Sequence, residues 1–305
     1  MDSSLLVVGS IAIDSIQTPW GKADRVLGGS ATYAALAARL WCPVEMVGVV
    51  GTDFPPRFAR LFDKFNVNGQ GIQTVEGRTF RWKGRYNTDL QPTTLFLDLG
   101  VFSGFQPKLT PLLRKAKVAF LGNIHPTLQW QVLRQLSAPR ITACDSRDDW
   151  IRSQRRGFLQ LLKKVDIVFL NDSETRLLTG VHGLVQATRV LARLGPKVAV
   201  VKKGEHGVLA ASREAFFSLP SYPIANVMDP TGAGDAFAGA CLGYLATQRR
   251  MTWAALCQAI QYASAAASMT IEAFGPDRLL KATKEEIFDR ARSFRNLARA
   301  GVVQW

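Results

Sequence analysis

The chain has 305 residues, of which 47% are hydrophobic and 20% charged, as is typical of a globular protein whose core needs no disulfides. The four cysteines are widely spaced and form no C-x-x-C pair, and the three histidines form no ligand pair, so we expect reduced thiols and a cytoplasmic protein without zinc. The formal net charge is +14, but the basic residues are spread along the chain; this distribution predicts no nucleic-acid partner and favours anionic small ligands.

Two further classes are disfavoured by local composition. The N-terminal stretch MDSSLLVVGS carries an acid at position 2 and no basic region, so it predicts no signal peptide. No apolar run approaches the length of a membrane span, and a membrane is therefore not expected as a partner either.

Short apolar stretches alternate with helical patterns along most of the chain. The stretches typical of strands are Leu5–Ile13, Val44–Val50, Val118–Leu121, Ile141–Cys144, Ile167–Leu170 and Val198–Val201. The stretches typical of helices include Gly29–Leu40, Asp53–Phe65, Thr127–Leu136 and Ile151–Lys164. This order predicts one α/β domain over residues 1–305, with three layers: a mainly parallel sheet and helices on both of its faces. Ligands should then bind beyond the carboxyl ends of the strands.

One region interrupts this alternation. Residues 77–99 contain two β-rich runs around a turn, and together with residues 15–26 they predict a small antiparallel sheet projecting from the main body. Such a sheet is either a lid over a ligand cleft or an ordinary edge hairpin. Its exposed edge could pair with a second copy of the chain, which would give a homodimer.

The most informative stretch is Val227–Leu242, VMDPTGAGDAFAGACL. A proline after Asp229 suits the end of a loop and the first turn of a helix. The three small residues Gly232, Ala233 and Gly234 leave backbone N–H groups open to an anion, and a helix start adds partial positive charge. Asp235 follows directly, so a carboxylate could take a proton from a hydroxyl while the N–H groups hold a phosphoryl group. The alternative is that Asp235 only stabilises the helix start.

The segment from Asp229 to Gly239 reads D-P-T-G-A-G-D-A-F-A-G and resembles the signature of the ribokinase-like (PfkB) family of sugar and nucleoside kinases. The resemblance implies an ATP-dependent phosphotransferase with Asp235 as the base and a lid inserted where the small sheet is predicted. It further implies that Asp229 and Thr231 shape a site for a monovalent cation such as K⁺.

A second group of residues is a candidate for acceptor binding. Asp14 follows an apolar strand, so we expect it at the carboxyl edge of the sheet, where its two oxygens could accept hydrogen bonds from adjacent hydroxyls; the alternative is a plain turn acid. Gly28 and Gly29 match the family's second glycine signature at the sugar, although a flexible helix entry with Ser30 as a cap explains them too. Tyr33 stands where family members commonly have an asparagine, and its ring would add a stacking face. Asn123 is a weaker candidate.

A third group is a candidate for nucleotide binding by resemblance to the family. Asn171 and Glu174 match an N-x-x-E motif that acts on Mg²⁺ through water, which suits an ion that keeps most of its waters, and the same residues suit a helix cap. Lys202 stands where relatives often have threonine and could reach a phosphate or point to water. The turn from Gly204 to Gly207 resembles the family's ATP-binding turn, and Ser264 falls where relatives place a residue near adenine.

Together these motifs predict a kinase that phosphorylates a hydroxyl of a sugar or sugar-like molecule with ATP and Mg²⁺. A nucleoside kinase is the alternative within the enzyme class. A non-catalytic regulator that binds a sugar or nucleotide is the alternative outside it.

Overall fold

The computed structural model describes residues 4–88, 90 and 92–297. Its strands are β1 (Leu5–Val8), β2 (Ala12–Thr18), β3 (Gly21–Gly28), β4 (Val44–Gly51), β5 (Val67–Val75), β6 (Phe80–Tyr86), β7 (Pro92–Asp98), β8 (Val118–Leu121), β9 (Ile141–Asp145), β10 (Ile167–Asn171), β11 (Val198–Lys202), β12 (Val208–Ala211) and β13 (Phe216–Leu219). Its helices are α1 (Ser30–Ala38), α2 (Pro56–Lys64), α3 (Pro126–Gln135), α4 (Asp148–Ser153), α5 (Arg155–Leu162), α6 (Asp172–Thr179), α7 (Leu184–Arg193), α8 (Ala233–Thr247), α9 (Trp253–Thr270), α10 (Asp277–Lys281) and α11 (Lys284–Leu297).

The strands form two sheets. The large sheet has nine strands in the order β13-β12-β11-β10-β9-β8-β1-β4-β5, parallel from β11 to β5, while β12 and β13 add antiparallel pairs at one edge. Its two faces are covered by two separate apolar clusters, because the side chains of a strand alternate between faces. The predicted three-layer α/β fold is confirmed.

One face of the large sheet is covered by α1 and α8, and α9 packs on α8. The apolar cluster on this face contains Phe237 of α8 together with side chains of three strands: Ala143 of β9, Phe169 of β10 and Val200 of β11. Along β9 and β10 the odd-numbered residues therefore face α8, and along β11 the even-numbered ones do. Helices α8 and α9 are rich in alanine and glycine, which permits close approach: a Cβ atom on Gly239 would collide with the backbone of Ala34 in α1. This packing fixes the start of α8 against the strand ends.

The small sheet has the order β3-β2-β6-β7. The predicted small sheet is present: its two hairpins, β2–β3 and β6–β7, are antiparallel, and they join through a central parallel pair, β2–β6. The two hairpins are contributed by distant parts of the chain and meet side by side, which local sequence does not specify. Within the predicted stretch 77–99, Asp89 and Gln91 lie outside the described residues.

Two further predictions are corrected. The stretch Leu5–Ile13 is not one strand, since β1 ends at Val8 and β2 of the other sheet begins at Ala12. The intervening Gly9 and Ser10 let the chain leave the large sheet. The predicted helix Ile151–Lys164 is divided into α4 and α5 by a break at Gln154, whose backbone is not helical. Among the described residues, no helix is both long and apolar enough to cross a membrane.

Candidate active site

The carboxyl ends of three neighbouring strands place polar side chains on one face of the large sheet. Lys202 ends β11 in register with Asn171 of β10, and Asp145 ends β9 in register with Phe169. Because Ala143, Phe169 and Val200 face α8, the period of two puts Asp145, Asn171 and Lys202 on that face as well. The strand ends thus place Asp145 and Lys202 near the start of α8.

The loop before α8 forms the second wall of the site. Gly232 is in the left-handed conformation, at φ 75°, as the residue that precedes the helix. A Cβ atom there would collide with the ring of Tyr33, so both the backbone conformation and the space require glycine. Ala233 and Gly234 open the helix and Asp235 lies in its first turn. The predicted loop-to-helix boundary is therefore found where the anion-binding argument needs it.

Asp235 is half-buried, and burial raises the pKa of its carboxyl group to about 7. The negative charge of Asp145 raises this pKa further, whereas Lys202 lowers it. A carboxyl group with a pKa near neutral is well matched to accept a proton at physiological pH.

Lys202 and Asp145 form an ion pair within this site. The Lys202 Nζ lies 2.6 Å from Asp145 Oδ2, with 17% of the lysine side chain and 5% of the aspartate side chain exposed. A Cβ atom on Gly234 would lie 3.0 Å from that Nζ, so the ammonium group sits beside the glycine loop. The side chain does not point to open water, which was one of the two expectations for Lys202; the other, contact with a phosphate, stays a prediction. Asp145 was missed by sequence reasoning, although an acid directly after an apolar strand was a usable signal.

Asn171 and Glu174 form a reciprocal cap at the start of α6. The Asn171 Oδ1 accepts a hydrogen bond from the Glu174 N–H, and the Glu174 carboxylate accepts one from the Asn171 N–H, each 2.7 Å long. Glu174 is buried, which raises its pKa to about 8, and the charge of Asp145 adds to that effect. The helix-cap interpretation is thus correct, and it leaves a carboxyl group beside Asp145 and Lys202.

Asp14 occupies a different place from the one expected. It lies within β2 of the small sheet, not at the carboxyl edge of the large one, because the chain changes sheets after β1. Its carboxylate lies directly over Gly28, where any Cβ atom would collide with it. Burial raises the pKa of Asp14 to about 8, and Asp229 contributes to the increase. The side chain still faces the same site, since the charge of Asp235 also acts on it.

Ser30 and Tyr33 of α1 are both buried. Ser30 is the first helical residue and does not cap the helix; it exchanges hydrogen bonds with Ser10 at 3.0 to 3.2 Å, which ties α1 to the end of β1. The Tyr33 ring lies against Gly232 and is only 1% exposed, so it offers no open stacking face. Its hydroxyl group has no hydrogen-bond partner among the described residues.

Asn123 lies two residues after the end of β8. Its Oδ1 is buried and lacks a hydrogen-bond partner within the described ranges. Buried acceptors in proteins are almost always paired, so this oxygen suits a donor that a ligand or a water supplies.

Asp229 organises the loop that carries the glycines. Its two oxygens accept hydrogen bonds from the N–H groups of Thr231 and Gly275, both at 2.9 Å. The Thr231 hydroxyl is 3.0 Å from the Tyr86 hydroxyl of β6, so the small sheet contacts the glycine loop. Within the described part of the chain, no group of three His, Cys, Asp or Glu side chains is arranged to hold a metal ion.

The remaining nucleotide-binding candidates lie in the turn after β11 and in α9. Gly204 and Gly207 bound a tight turn between β11 and β12, with φ of 55° and 86°. A Cβ atom on Gly207 would collide with the Leu219 carbonyl oxygen, whereas the space around Gly204 is open. Ser264 is a half-buried residue of α9, which packs on α8.

The fold and this site define a phosphotransferase of the α/β class, and comparisons with known proteins agree. Residues 2–282 match the model of the pfkB family of carbohydrate kinases. The chain is 32% identical over 258 residues to a cytidine kinase of Thermococcus kodakarensis, an alignment that covers 81% of this chain and 88% of that protein. The chain therefore belongs to the pfkB family of carbohydrate kinases, and the prediction of a PfkB-type kinase is confirmed.

Solved structures show the same fold at lower identity. The nucleoside kinase of Burkholderia thailandensis in complex with ADP and inosine superposes with a TM-score of 0.80 at 20% identity, over 96% of each chain. A protein provisionally named ribokinase II from E. coli, in complex with ATP and Mg²⁺, superposes with a TM-score of 0.80 at 18% identity, over 95% of this chain and 99% of that one.

Proposed function

We propose that this chain works as a single kinase domain that transfers the γ-phosphoryl group of ATP to a hydroxyl group of a sugar or sugar-like molecule. The observation that carries the proposal is the position of Asp235 in the first turn of α8, directly after the glycine loop. The ordinary alternative, a helix-stabilising aspartate, does not account for the convergence of Asp145, Lys202 and Glu174 on the same point.

The proposed roles follow from these positions. Asp14 binds hydroxyl groups of the acceptor beside the glycines at 28 and 29, and Asn123 Oδ1 accepts a further hydrogen bond. Asp235 takes the proton of the reacting hydroxyl, and the N–H groups of residues 232–234 stabilise the charge that spreads over the phosphoryl oxygens. ATP extends towards the turn at residues 204–207, with its base near Ser264.

Mg²⁺ fits the residues on the β10 side. Glu174, with Asn171 beside it, offers a buried carboxyl group next to Asp145, and Mg²⁺ needs few protein ligands because it keeps several waters. The ion would neutralise phosphate charge when bound.

A monovalent cation would lie behind the glycine loop near Asp229 and Thr231. If the turnover rate does not change when K⁺ replaces an inert cation, this monovalent-cation site is excluded.

We also propose that the small sheet acts as a lid and joins two copies of the chain. The Tyr86–Thr231 hydrogen bond links the sheet to the glycine loop, and closure there would exclude water from the transfer. The edge strand β7 exposes Leu95, Phe96 and Leu97 by 43%, 52% and 50%, which is unusual for a free edge. Light scattering checks this: the wild type should be dimeric and Phe96→Lys monomeric.

A nucleoside acceptor is the second candidate, and Trp82 favours it. Trp82 is in register with Asp14 on the neighbouring parallel strand, so both side chains point to one face. Its ring lies across Gly84, and its Nε1–H donates to Thr94 Oγ1 at 3.1 Å. An indole held in this way is a stacking platform for a base, worth about 1–3 kcal/mol.

Two experiments separate these acceptors. A panel of sugars and nucleosides with ATP is screened for ADP release, with thermal shift in parallel; ligand-induced shifts without ADP would instead support a non-catalytic regulator. Trp82→Ala should raise the KM of a nucleoside about tenfold and leave that of the free sugar unchanged. Trp20→Ala, which removes an exposed tryptophan at the β2–β3 turn, is the control.

A further inference from the structure

The Asp145–Lys202 ion pair is the feature of the site that the roles above leave unexplained. A largely buried ion pair is weak evidence of stabilisation, because desolvation of two charges offsets much of their attraction. This pair also joins strands that are not neighbours: β10 lies between β9 and β11, and the two side chains meet above its carboxyl end.

The lysine has unused hydrogen-bonding capacity. An ammonium group has three N–H donors, and among the described residues Asp145 Oδ2 is the one hydrogen-bond acceptor of Lys202. The side chain is 17% exposed, and its ammonium group lies beside Gly234, in the loop that is proposed to hold the phosphoryl group. Two donors are thus free at the point where phosphoryl oxygens would arrive.

We infer that Lys202 is a catalytic residue that donates to the transferring phosphoryl group, and that Asp145 is a positioning residue that holds the ammonium group at the glycine loop until the phosphate arrives. The inference rests on the proposed function. No bond to either residue forms or breaks. The negative charge that develops on the phosphoryl oxygens attracts the ammonium more strongly than it does in the ground state, which is the condition for raising kcat.

The competing explanation is a purely structural pair that holds β9 and β11 together. The two explanations differ in what each substitution does to the folded enzyme. A structural pair leaves kcat of the folded protein unchanged, while its single variants lose stability because one buried charge remains unpaired, and the double variant recovers it.

The test compares Lys202→Met, Lys202→Arg, Asp145→Asn and the double variant Lys202→Met/Asp145→Asn. We expect Lys202→Met to lower kcat about 100-fold, with little change in the Kd of the acceptor, and Lys202→Arg to retain part of the activity. Asp145→Asn should lower kcat about tenfold. Because Asp145 acts through Lys202, the double variant should be no slower than Lys202→Met alone.

Lys197→Met is the matched control. Lys197 forms an ion pair with Asp166, with Nζ 2.7 Å from Oδ1, just before the amino ends of the same two strands, β11 and β10. Its loss should leave kcat unchanged. Circular dichroism and Tm are measured for every variant to show that it is folded. If Lys202→Met does not fold, the conclusion is drawn from the kcat of Lys202→Arg instead.

The inference is overturned if folded Lys202→Met turns over within twofold of the wild type, or if the double variant is slower than Lys202→Met by the full Asp145→Asn factor. Asp235→Asn, assayed in parallel, separates this failure from failure of the proposed function. If Asp235→Asn is inactive and Lys202→Met is not, the kinase assignment stands and the role of Lys202 is wrong. If wild type and Asp235→Asn behave alike on every acceptor, both are wrong.

Discussion

The carboxyl edge of the large sheet and the small sheet contribute to the same site in different ways. At the large sheet, strand register places Asp145, Asn171 and Lys202 on one face of three packed, mostly buried strands. The small sheet carries Asp14, Trp82 and Tyr86 on two hairpins, and its outer strand β7 is largely exposed. The charged groups of phosphoryl transfer therefore stand on the more buried part of the molecule, whereas Asp14 and Trp82, two of the proposed acceptor contacts, stand on the more exposed small sheet.

This difference separates chemistry from specificity. Residues at the end of a buried strand are positioned by the whole sheet, so their mutual distances change little when a ligand binds. A four-stranded sheet with one exposed edge is held less firmly and can move relative to the core. Substitutions at the large sheet should thus change kcat, and substitutions at the small sheet should change KM.

The largest expected effect tests the first half of this comparison. Asp235→Asn removes the proposed base, and we expect kcat to fall about 1,000-fold, within the range for loss of general base catalysis. The Kd of ATP, measured by calorimetry, should stay within a few-fold of the wild type. Asp63→Asn, at an exposed position of α2, is the control. An Asp235→Asn enzyme with wild-type kcat would show that another group accepts the proton.

The second prediction concerns Asp14 and the acceptor. Asp14→Asn replaces the carboxyl group that is proposed to hydrogen-bond the hydroxyl groups of the acceptor, so the acceptor KM should rise about tenfold while kcat changes much less. A larger effect on kcat than on KM would contradict the separation of the two regions.

Asp14→Asn should also stabilise the protein at alkaline pH. Burial raises the pKa of Asp14 to about 8, while the unfolded chain releases the same proton near pH 4. The folded state therefore holds a proton that the unfolded state loses, so the stability associated with this group is present at low pH and is lost as pH rises through about 8. An asparagine at this position does not ionise, so its contribution to stability does not change with pH. The Tm difference between variant and wild type should be negligible at pH 4 and grow towards pH 9.

The pH profile of the wild type tests the protonation state of Asp235. Burial and Asp145 raise the pKa of Asp235 to about 7, against the opposing effect of Lys202; Asp14, Tyr33 and Tyr86 also interact with its charge. Because a base must be ionised, kcat/KM should fall about tenfold per pH unit below 7. The profile is best measured in Asp14→Asn, which lacks the ionisation of Asp14 near 8. A flat profile between pH 5 and 7 would exclude Asp235 as the base.

The core of the fold could be predicted because its signals are local. The limits of β8 agree with the apolar stretch Val118–Leu121, and the predicted strands at β9, β10 and β11 each end one residue before the observed end. That one residue matters, since the last positions are Asp145, Asn171 and Lys202. A strand predicted from apolar residues ends before the first polar residue, whereas the hydrogen bonds between neighbouring strands continue through that residue.

The site could be predicted only in part because its pairings are long-range. The glycine loop and Asp235 are contiguous in sequence and were found together. Asp145 was missed because its partner Lys202 is 57 residues away, so the ion pair that makes it part of the site cannot be seen in the local sequence. Asp14 was identified but misplaced, since Gly9 and Ser10 carry the chain into a second sheet whose strand order depends on residues 80–98. Tyr33 was expected to stack on a ligand, but it packs on Gly232.

The smallest expected effect probes the contact between the two regions. The Tyr86 hydroxyl lies 3.0 Å from the Thr231 hydroxyl. This hydrogen bond between two side chains connects the small sheet to the loop before α8. Tyr86→Phe removes the link and keeps the ring, so closure of the small sheet should weaken by about 1 kcal/mol. Because closure affects both acceptor binding and exclusion of water, KM should rise and kcat fall by a few-fold together, as steady-state kinetics would show. Thr231→Val should reproduce this change, and the two substitutions combined should not add; additive losses would mean that the hydroxyl groups act separately and that the two regions are not coupled through them.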